Sequence, residues 1–190
     1  LVYSDSALEV DVPKQEVILP RKTVLELQRL LSDTDEMIDI QFANNQAKFN
    51  FGTMEFVSKL VEGKFPDYNR VIPKGHKNLL TVGRQTLLTS MQRTAILTSD
   101  KFKGVRLNFE KNLLRIASSN AEQEEAVEEI DIDYSGDDIE IGFNVTYLID
   151  ALANMTQEMV GIELSDGNSS ALFTMPENEA YRYVVMPMRI

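Results

Sequence analysis

The residues able to do covalent or acid–base chemistry are few and poorly grouped. The chain has one histidine and no cysteine, so thiolate catalysis, disulfides and zinc–cysteine sites are excluded. The histidine, His76, stands in Pro73-Lys-Gly-His-Lys77 and reads as a solvated residue of a connecting stretch. Asp137-Asp138 is the nearest approach to the paired carboxylates of general acid–base work. It follows Ser135-Gly136, however, and reads as a turn. No Gly-x-Ser-x-Gly elbow, phosphate-cradling glycine loop or spaced metal-ligand set occurs. Neither an enzyme activity nor a cofactor is expected, and the remaining chemistry is recognition.

Three groups of residues could carry recognition. The first is an acidic run from Glu122 to Glu140, including Glu122, Glu124, Glu125 and Glu128, with no basic residue inside it. It accounts for most of the net charge of −11, and outside it acids and bases nearly balance. The net charge therefore does not exclude nucleic acid. The second group is basic: Arg21, Lys22, Arg29, Arg84 and Arg93 in helix-like segments, with Lys101 and Lys103 just beyond. The third is the tail Val184-Val-Met-Pro-Met-Arg-Ile190, apolar to its last residue but one of seven. Pro187 prevents it from continuing as a regular paired strand. Such an end would ordinarily fray, so an apolar one must cover a surface or be covered. Met186, Met188 and Ile190 suit a rim that accepts several partners, because methionine is unbranched and polarizable.

These groups must be positioned by a mixed scaffold. The chain has 190 residues, 43% of them apolar, enough for one large domain or one and a half small ones. No run approaches the ~18 apolar residues of a membrane span, and no secretory signal opens the chain. The first residue is Leu1, inside the strand-like Leu1-Val-Tyr3, which reads as a fragment or a processed chain. The lack of cysteine fits a reducing, cytoplasmic setting. Helical spacing of apolar residues predicts helices over about Arg21–Leu31, Arg84–Leu97 and Val145–Ala153. Alternation predicts strands at 37–42, 47–51, 105–109, 113–116 and 160–164, with turns at Asn44-Asn45, Glu110–Asn112 and Asp166–Asn168.

The chain also repeats itself. Shifted along its own length, Glu36-Met-Ile38 falls on Glu158-Met-Val160, Ile40 on Ile162, Phe51 on Phe173, and Leu19, Leu27 and Leu30 on Ile141, Ile149 and Leu152. A further copy starts at Val82-Gly83, the counterpart of Ile141-Gly142. The predicted class is α+β: repeated βαβββ units whose helices cover one face of antiparallel sheets. Three units make one and a half domains, divided in the Pro- and Gly-bearing stretch 62–77. A single α+β domain with chance self-similarity is the alternative.

Several segments resemble the β subunit of bacterial DNA polymerase III, the sliding clamps: Val17-Ile-Leu-Pro-Arg-Lys22, Ser58-Lys-Leu-Val-Glu-Gly-Lys-Phe-Pro-Asp-Tyr68, Lys101-Phe-Lys-Gly-Val-Arg-Leu107, Glu122-Gln-Glu-Glu-Ala126, Ile141-Gly-Phe-Asn-Val-Thr-Tyr147 and Tyr183–Arg189. The resemblance runs through the whole chain in order. It implies the DNA-clamp fold, with residues 1–72 the second half of a middle domain and 73–190 a complete third domain of a head-to-tail dimeric ring. It also implies a groove where polymerase, clamp loader and repair proteins insert a short peptide. On one side of that groove would stand Leu1, Pro66, Arg70 and Val71. On the other would stand Phe102, Asn144, Tyr147, Asn168, Ser170, Val184, Val185, Met186, Pro187, Met188, Arg189 and Ile190. Asn168 departs from the aliphatic residue usual there. Glu122, Glu124, Glu125 and Glu128, with Ile96 and Leu97, would form a ring-closing edge. Arg21, Lys22, Arg29, Arg84, Arg93, Lys101 and Lys103 would face duplex DNA. The competing reading is a β-rich interaction module with no DNA role.

Overall fold

The computed structural model describes residues 1–32, 35–99 and 103–190. The elements in chain order are β1 (Val2–Ser4), α1 (Arg21–Leu30), β2 (Asp39–Ala43), β3 (Gln46–Phe51), β4 (Met54–Lys59), α2 (Tyr68–Val71), β5 (Asn78–Gly83), α3 (Arg84–Ala95), β6 (Gly104–Glu110), β7 (Leu113–Ser119), β8 (Glu125–Asp131), β9 (Ile139–Asn144), α4 (Val145–Ala153), β10 (Met159–Leu164), β11 (Ala171–Met175) and β12 (Asn178–Val185). The α+β class and the three predicted helices are present. None of the helices among the described residues is long and apolar enough to cross a membrane. The chain divides into a main body, residues 1–7 and 68–190, and an N-terminal body, residues 8–67. This differs from the expected division after residue 72. The cause is local: Ile72 is buried with Leu172 and Val184, so α2 packs on the main body.

The main body holds two full repeats, β5-α3-β6-β7-β8 and β9-α4-β10-β11-β12. Their leading strands are exchanged. β5 pairs antiparallel with β10 of the second repeat, and β9 pairs with β6 of the first. The resulting sheets have the orders β1-β12-β11-β10-β5 and β8-β7-β6-β9. Neither repeat can complete a sheet without the other. Alternation sets the burial: Val105, Leu107 and Phe109 in β6, Ile139, Ile141 and Phe143 in β9, and Val160, Ile162 and Leu164 in β10 all point inward. Leu87, Leu88 and Met91 of α3 and Val145, Leu148 and Leu152 of α4 join the same core. The helices occupy these positions because their apolar residues recur at three- and four-residue spacing. Asn144 starts α4, its Oδ1 accepting the Thr146 N–H at 2.9 Å.

The N-terminal body is a single repeat, α1 over the meander β2-β3-β4. Asn44-Asn45 joins β2 to β3 with Ala43 opposite Gln46, and Gly52, at φ +53°, turns β3 into β4. Leu27, Leu30 and Leu31 pack on Ala47, Phe49 and Phe51, and a buried Thr23–Ser58 hydroxyl pair at 2.6 Å ties α1 to β4. Unlike the other repeats, this one has no leading strand before α1 among the described residues; Ile18 only accepts one hydrogen bond, from Val61 N–H. The reason is the exchange seen in the main body: a leading strand pairs with a sister repeat, and residues 8–67 contain only one. The same shortage leaves Ile40, Phe42 and Met54 exposed on the meander.

Phe173 is 1% exposed and belongs to the main core. Phe173→Ala should destabilise the main body by about 3–5 kcal/mol. Ile40→Ala, at a site 49% exposed, should cost within about 0.5 kcal/mol. Urea unfolding of both variants checks this, and equal losses would contradict the burial described.

Candidate functional site

Strand β12 has two different faces. Tyr181, Tyr183 and Val185 point toward the helices, where Val185 is 2% exposed in the main core. Val184, one residue away, points to the opposite face and is buried, 3% exposed, in a small separate cluster with Ile72, Leu172 and Tyr3. The expected groove residue Val185 is therefore a core residue, by the two-residue period of a strand. Leu1 pairs with the same strand through its backbone: its nitrogen donates to the Val184 carbonyl at 3.0 Å and its carbonyl accepts from Val184 N–H at 2.8 Å. β1 thus adds itself to the sheet edge, with Tyr3 opposite Arg182.

Above this edge lies α2. A four-residue helix is too short to be stable alone, so side chains must hold it. Ile72 anchors one end in the outer cluster, and Tyr68 stacks on Tyr3 with ring centroids 5.2 Å apart. The Arg182 guanidinium lies 5.9 Å from the Tyr3 ring on the same face. These contacts carry Arg70 and the 40%-exposed Val71. Tyr3, Tyr68, Ile72 and Leu172 were not legible as site residues. The only signal was the alternation shared by Leu1–Tyr3 and Arg182–Val184.

Beyond β12 the tail continues without strand pairing. Met186 is exposed and Pro187 and Met188 are half-buried, while Met188 N–H donates to the Gly142 carbonyl at 2.8 Å. Tyr147 is exposed on α4. It neighbours Tyr183, whose hydroxyl is pushed above the ordinary tyrosine range by burial, then by Asp150, Tyr181 and Tyr147. Tyr147 thus belongs to the helix side of β12, whereas Val184, Leu1 and α2 belong to its outer side. Asn144 is committed to capping α4. Asn168 and Ser170 lie in the β10–β11 connection, which Asp166 organises. Its carboxylate accepts from the Asn168 and Ser169 N–H groups and from the Ser169 hydroxyl, and these bonds hold it below the ordinary range, the Asn168 bond first. Pro66 belongs to the N-terminal body, and Phe102 lies outside the described residues.

The acidic residues gather at a sheet edge. β8 is the outermost strand of its sheet and begins at Glu125. Asn120 organises the turn before it, accepting from the Glu122 and Glu124 N–H groups at 3.0 Å and donating to the Glu124 carboxylate at 2.6 Å. Ile96, 77% exposed, and half-buried Leu97 follow the end of α3. Glu128 is committed elsewhere. Arg93 grips it with two hydrogen bonds, Nε to Oε1 at 2.9 Å and Nη2 to Oε2 at 2.5 Å, and Ser90 donates a third at 3.2 Å. The Arg93 hydrogen bonds hold the Glu128 carboxyl below its ordinary range.

Two of the expected DNA-facing cations have partners within the chain. Arg93 is tied to Glu128. Arg84 donates from Nε to the Gln157 carbonyl at 2.8 Å and from Nη1 to the Leu152 carbonyl at 3.2 Å. It supplies positive charge to the carboxyl end of α4, whose last turn has no basic residue of its own. The helix contact that makes this possible is long-range, so the sequence does not announce it. Arg21, Lys22 and Lys103 are exposed, as is Arg29, which pairs with Glu26 at 2.9 Å. Lys101 lies outside the described residues.

The backbone of Asp137 and the ring of His76 are engaged within the fold. Asp137 N–H donates to Asn78 Oδ1 at 3.0 Å, and Tyr134 donates its hydroxyl to the Asp137 carbonyl at 2.5 Å. His76 is half-buried rather than solvated, its Nδ1 3.2 Å from Ser165 Oγ.

Residues 69–189 match the family described as DNA polymerase III beta subunit, C-terminal domain, and residues 4–67 match its central domain. The chain belongs to the beta sliding clamp family. It is 50% identical over 177 residues to the beta sliding clamp of Pseudomonas putida, covering 93% of this chain and 48% of that protein. It is 44% identical over 179 residues to that of Escherichia coli K12, covering 94% and 49%. The solved Pseudomonas aeruginosa clamp bound to griselimycin superposes with a TM-score of 0.90 at 46% identity, over 96% of this chain and 50% of that one. The Caulobacter crescentus clamp gives 0.94 at 33% identity, over 100% and 50%. The chain spans about half the length of these relatives. The break between the two matches, at residues 67–69, falls beside the division of the bodies after Asp67, although residues 4–7 of the central-domain match lie in the main body.

The depressed Glu128 carboxyl makes its bond to Arg93 pH-dependent. A carboxyl lowered in the folded state adds stability above its unfolded-state value and loses it as pH falls through the lowered one. Glu128→Gln should therefore melt below the native chain near neutral pH, and the two should converge in acid. A gap that persists undiminished into strong acid would contradict the assignment.

Proposed function

We propose that this chain is the carboxy-terminal half of a processivity clamp, a non-catalytic cytoplasmic ring subunit that encircles duplex DNA and docks replication and repair proteins through short peptides. In this reading residues 8–67 are the second half of the middle domain and the main body contains the complete third domain. The observation that carries it is the outer apolar cluster of Tyr3, Ile72, Leu172 and Val184, bordered by Leu1 on the strand beside Val184 and followed along the chain by the tail from Met186. It is separate from the main core; Ile72, Leu172 and Val184 are buried at its base, while Leu1, Val71 and Met186 beside it stay exposed and give the margin the aliphatic character of a peptide-docking wall. Polymerase subunits, the clamp loader and repair proteins are the partners proposed for it.

The ring edge is β8. An outermost strand offers unpaired backbone groups to a neighbouring chain, and Glu122, Glu124 and Glu125 beside it provide charge that selects a basic partner. Ile96 and Leu97 add apolar contact. A homodimer is proposed for the full-length protein. For DNA, the supporting residues are reduced to Arg21, Lys22, Arg29 and Lys103, each exposed. Weak phosphate contacts of this kind suit sliding and depend on salt. The commitment of Arg84 and Arg93 to partners within the chain favours the second reading, an interaction module with no DNA role.

Fluorescence anisotropy with a labelled peptide carrying Gln and a Leu–Phe anchor tests the wall. Deleting Met186–Ile190 should weaken binding by about tenfold or more, the equivalent of ~1.4 kcal/mol. Unchanged affinity would count against the docking function. In the full-length protein, Ile96→Ala with Leu97→Ala should yield a monomer by light scattering, and a persistent dimer would refute the edge assignment.

A further inference from the structure

We infer that Gly142 and Gly104 form a seat for the C-terminal tail and are positioning residues for the peptide-docking wall. This rests on the docking reading above but concerns residues that do not line the wall. Gly104 pairs with Asn144 and Gly142 with Arg106 in the β6–β9 ladder. Residues opposite one another share a face, so both glycines stand diagonally adjacent on the outer face of that sheet. Their chain neighbours Val105, Ile141 and Phe143 fill the inner face.

Three observations converge on this spot. A Cβ on Gly142 would come within 2.5 Å of the Met188 carbonyl oxygen and 2.8 Å of Ile190 Cδ1. A Cβ on Gly104 would come within 3.1 Å of Ile190 Cδ1 and 3.2 Å of its Cγ1. Met188 N–H also donates to the Gly142 carbonyl at 2.8 Å. Neither glycine has the positive φ that demands glycine for its backbone. Glycine weakens a strand and packs nothing, so in a strand it marks a place where another backbone approaches closely. Here the approaching backbone is the tail.

The mechanical consequence follows from the path of the chain. Val184 and Val185 are fixed by burial in the two clusters on either side of β12. From Met186 onward strand pairing stops, and Pro187 has no N–H to donate. Without a second anchor these residues would fray. The seat supplies that anchor at Met188 and Ile190, so Met186 and Pro187 are stretched between two fixed points. A wall held at both ends loses less freedom when a peptide binds than one that must be ordered. Ile190 also borders a cavity of about 210 Å³, lined among others by Arg106, Ala117 and Val127, and keeps 55% of its surface exposed.

The test uses the whole chain with Gly142→Ala and, separately, Gly104→Ala, since an added methyl on an ordinary strand backbone should not prevent folding. Carboxypeptidase release of Ile190 and Arg189 reads the seat directly. Gly142→Ala should speed release by about tenfold and weaken the Gln/Leu–Phe peptide by about fivefold, with thermal unfolding nearly unchanged. Gly104→Ala should act in the same direction but less, because its contacts are longer. In a chain lacking Met188–Ile190, adding Gly142→Ala should cause no further loss of affinity. Unchanged tail release in both variants overturns the inference, and so does an equal loss of affinity with and without the tail. If the native chain binds no such peptide, the docking reading fails while tail release still decides whether the seat exists.

Discussion

The exchange of leading strands between the two repeats of the main body is the constraint on which the rest depends. β5 leaves its own repeat to pair with β10, and β9 leaves its own to pair with β6. Each sheet is completed only when both repeats are present, and the inward-facing residues of both then close one continuous core. The pairing is long-range, so its loop-closure entropy must be overcome before the core can compensate for it. The N-terminal body shows the other side of the constraint. With one repeat it forms a helix over three strands, lacks a leading strand among the described residues, and leaves apolar side chains on its meander uncovered.

The candidate site follows from the same sheets. β12 is held on one side by β11, and its other side receives β1. Alternation along β12 then places Val185 in the main core and Val184, only 3% exposed, in the small cluster with Ile72 and Leu172 on the other face. The tail leaves this strand at a proline and is caught again at a pair of glycines on the second sheet. The tail from Met186 therefore bridges the two sheets of the main body, beside the docking wall proposed for it.

Much of this was legible in the sequence, for physical reasons. Periodicity located the helices to within a turn because their apolar faces are strong. The repeat was visible because inward-facing positions tolerate only apolar residues, as in Phe51 and Phe173. What stayed hidden depended on contacts between distant segments. Arg84 looked like a free helix cation until the carboxyl end of α4 proved to lie beside it. Arg93 and Glu128 carried opposite expectations, one for DNA and one for a partner chain, and were found joined to each other. The turn role of Asp137 was readable, whereas the burial of His76 against Ser165 was not, because the Pro73–Lys77 stretch resembles an open linker.

The most direct test of the account is methyl-resolved NMR of the whole chain titrated with the Gln/Leu–Phe peptide. The account predicts shifts concentrated at Leu1, Ile72, Leu172, Val184, Met186, Met188 and Ile190, with the methyls of Leu107, Leu114 and Ile116 in the core unmoved. Shifts confined to Ile40 and Met54 of the N-terminal body, or spread evenly through the molecule, would contradict it.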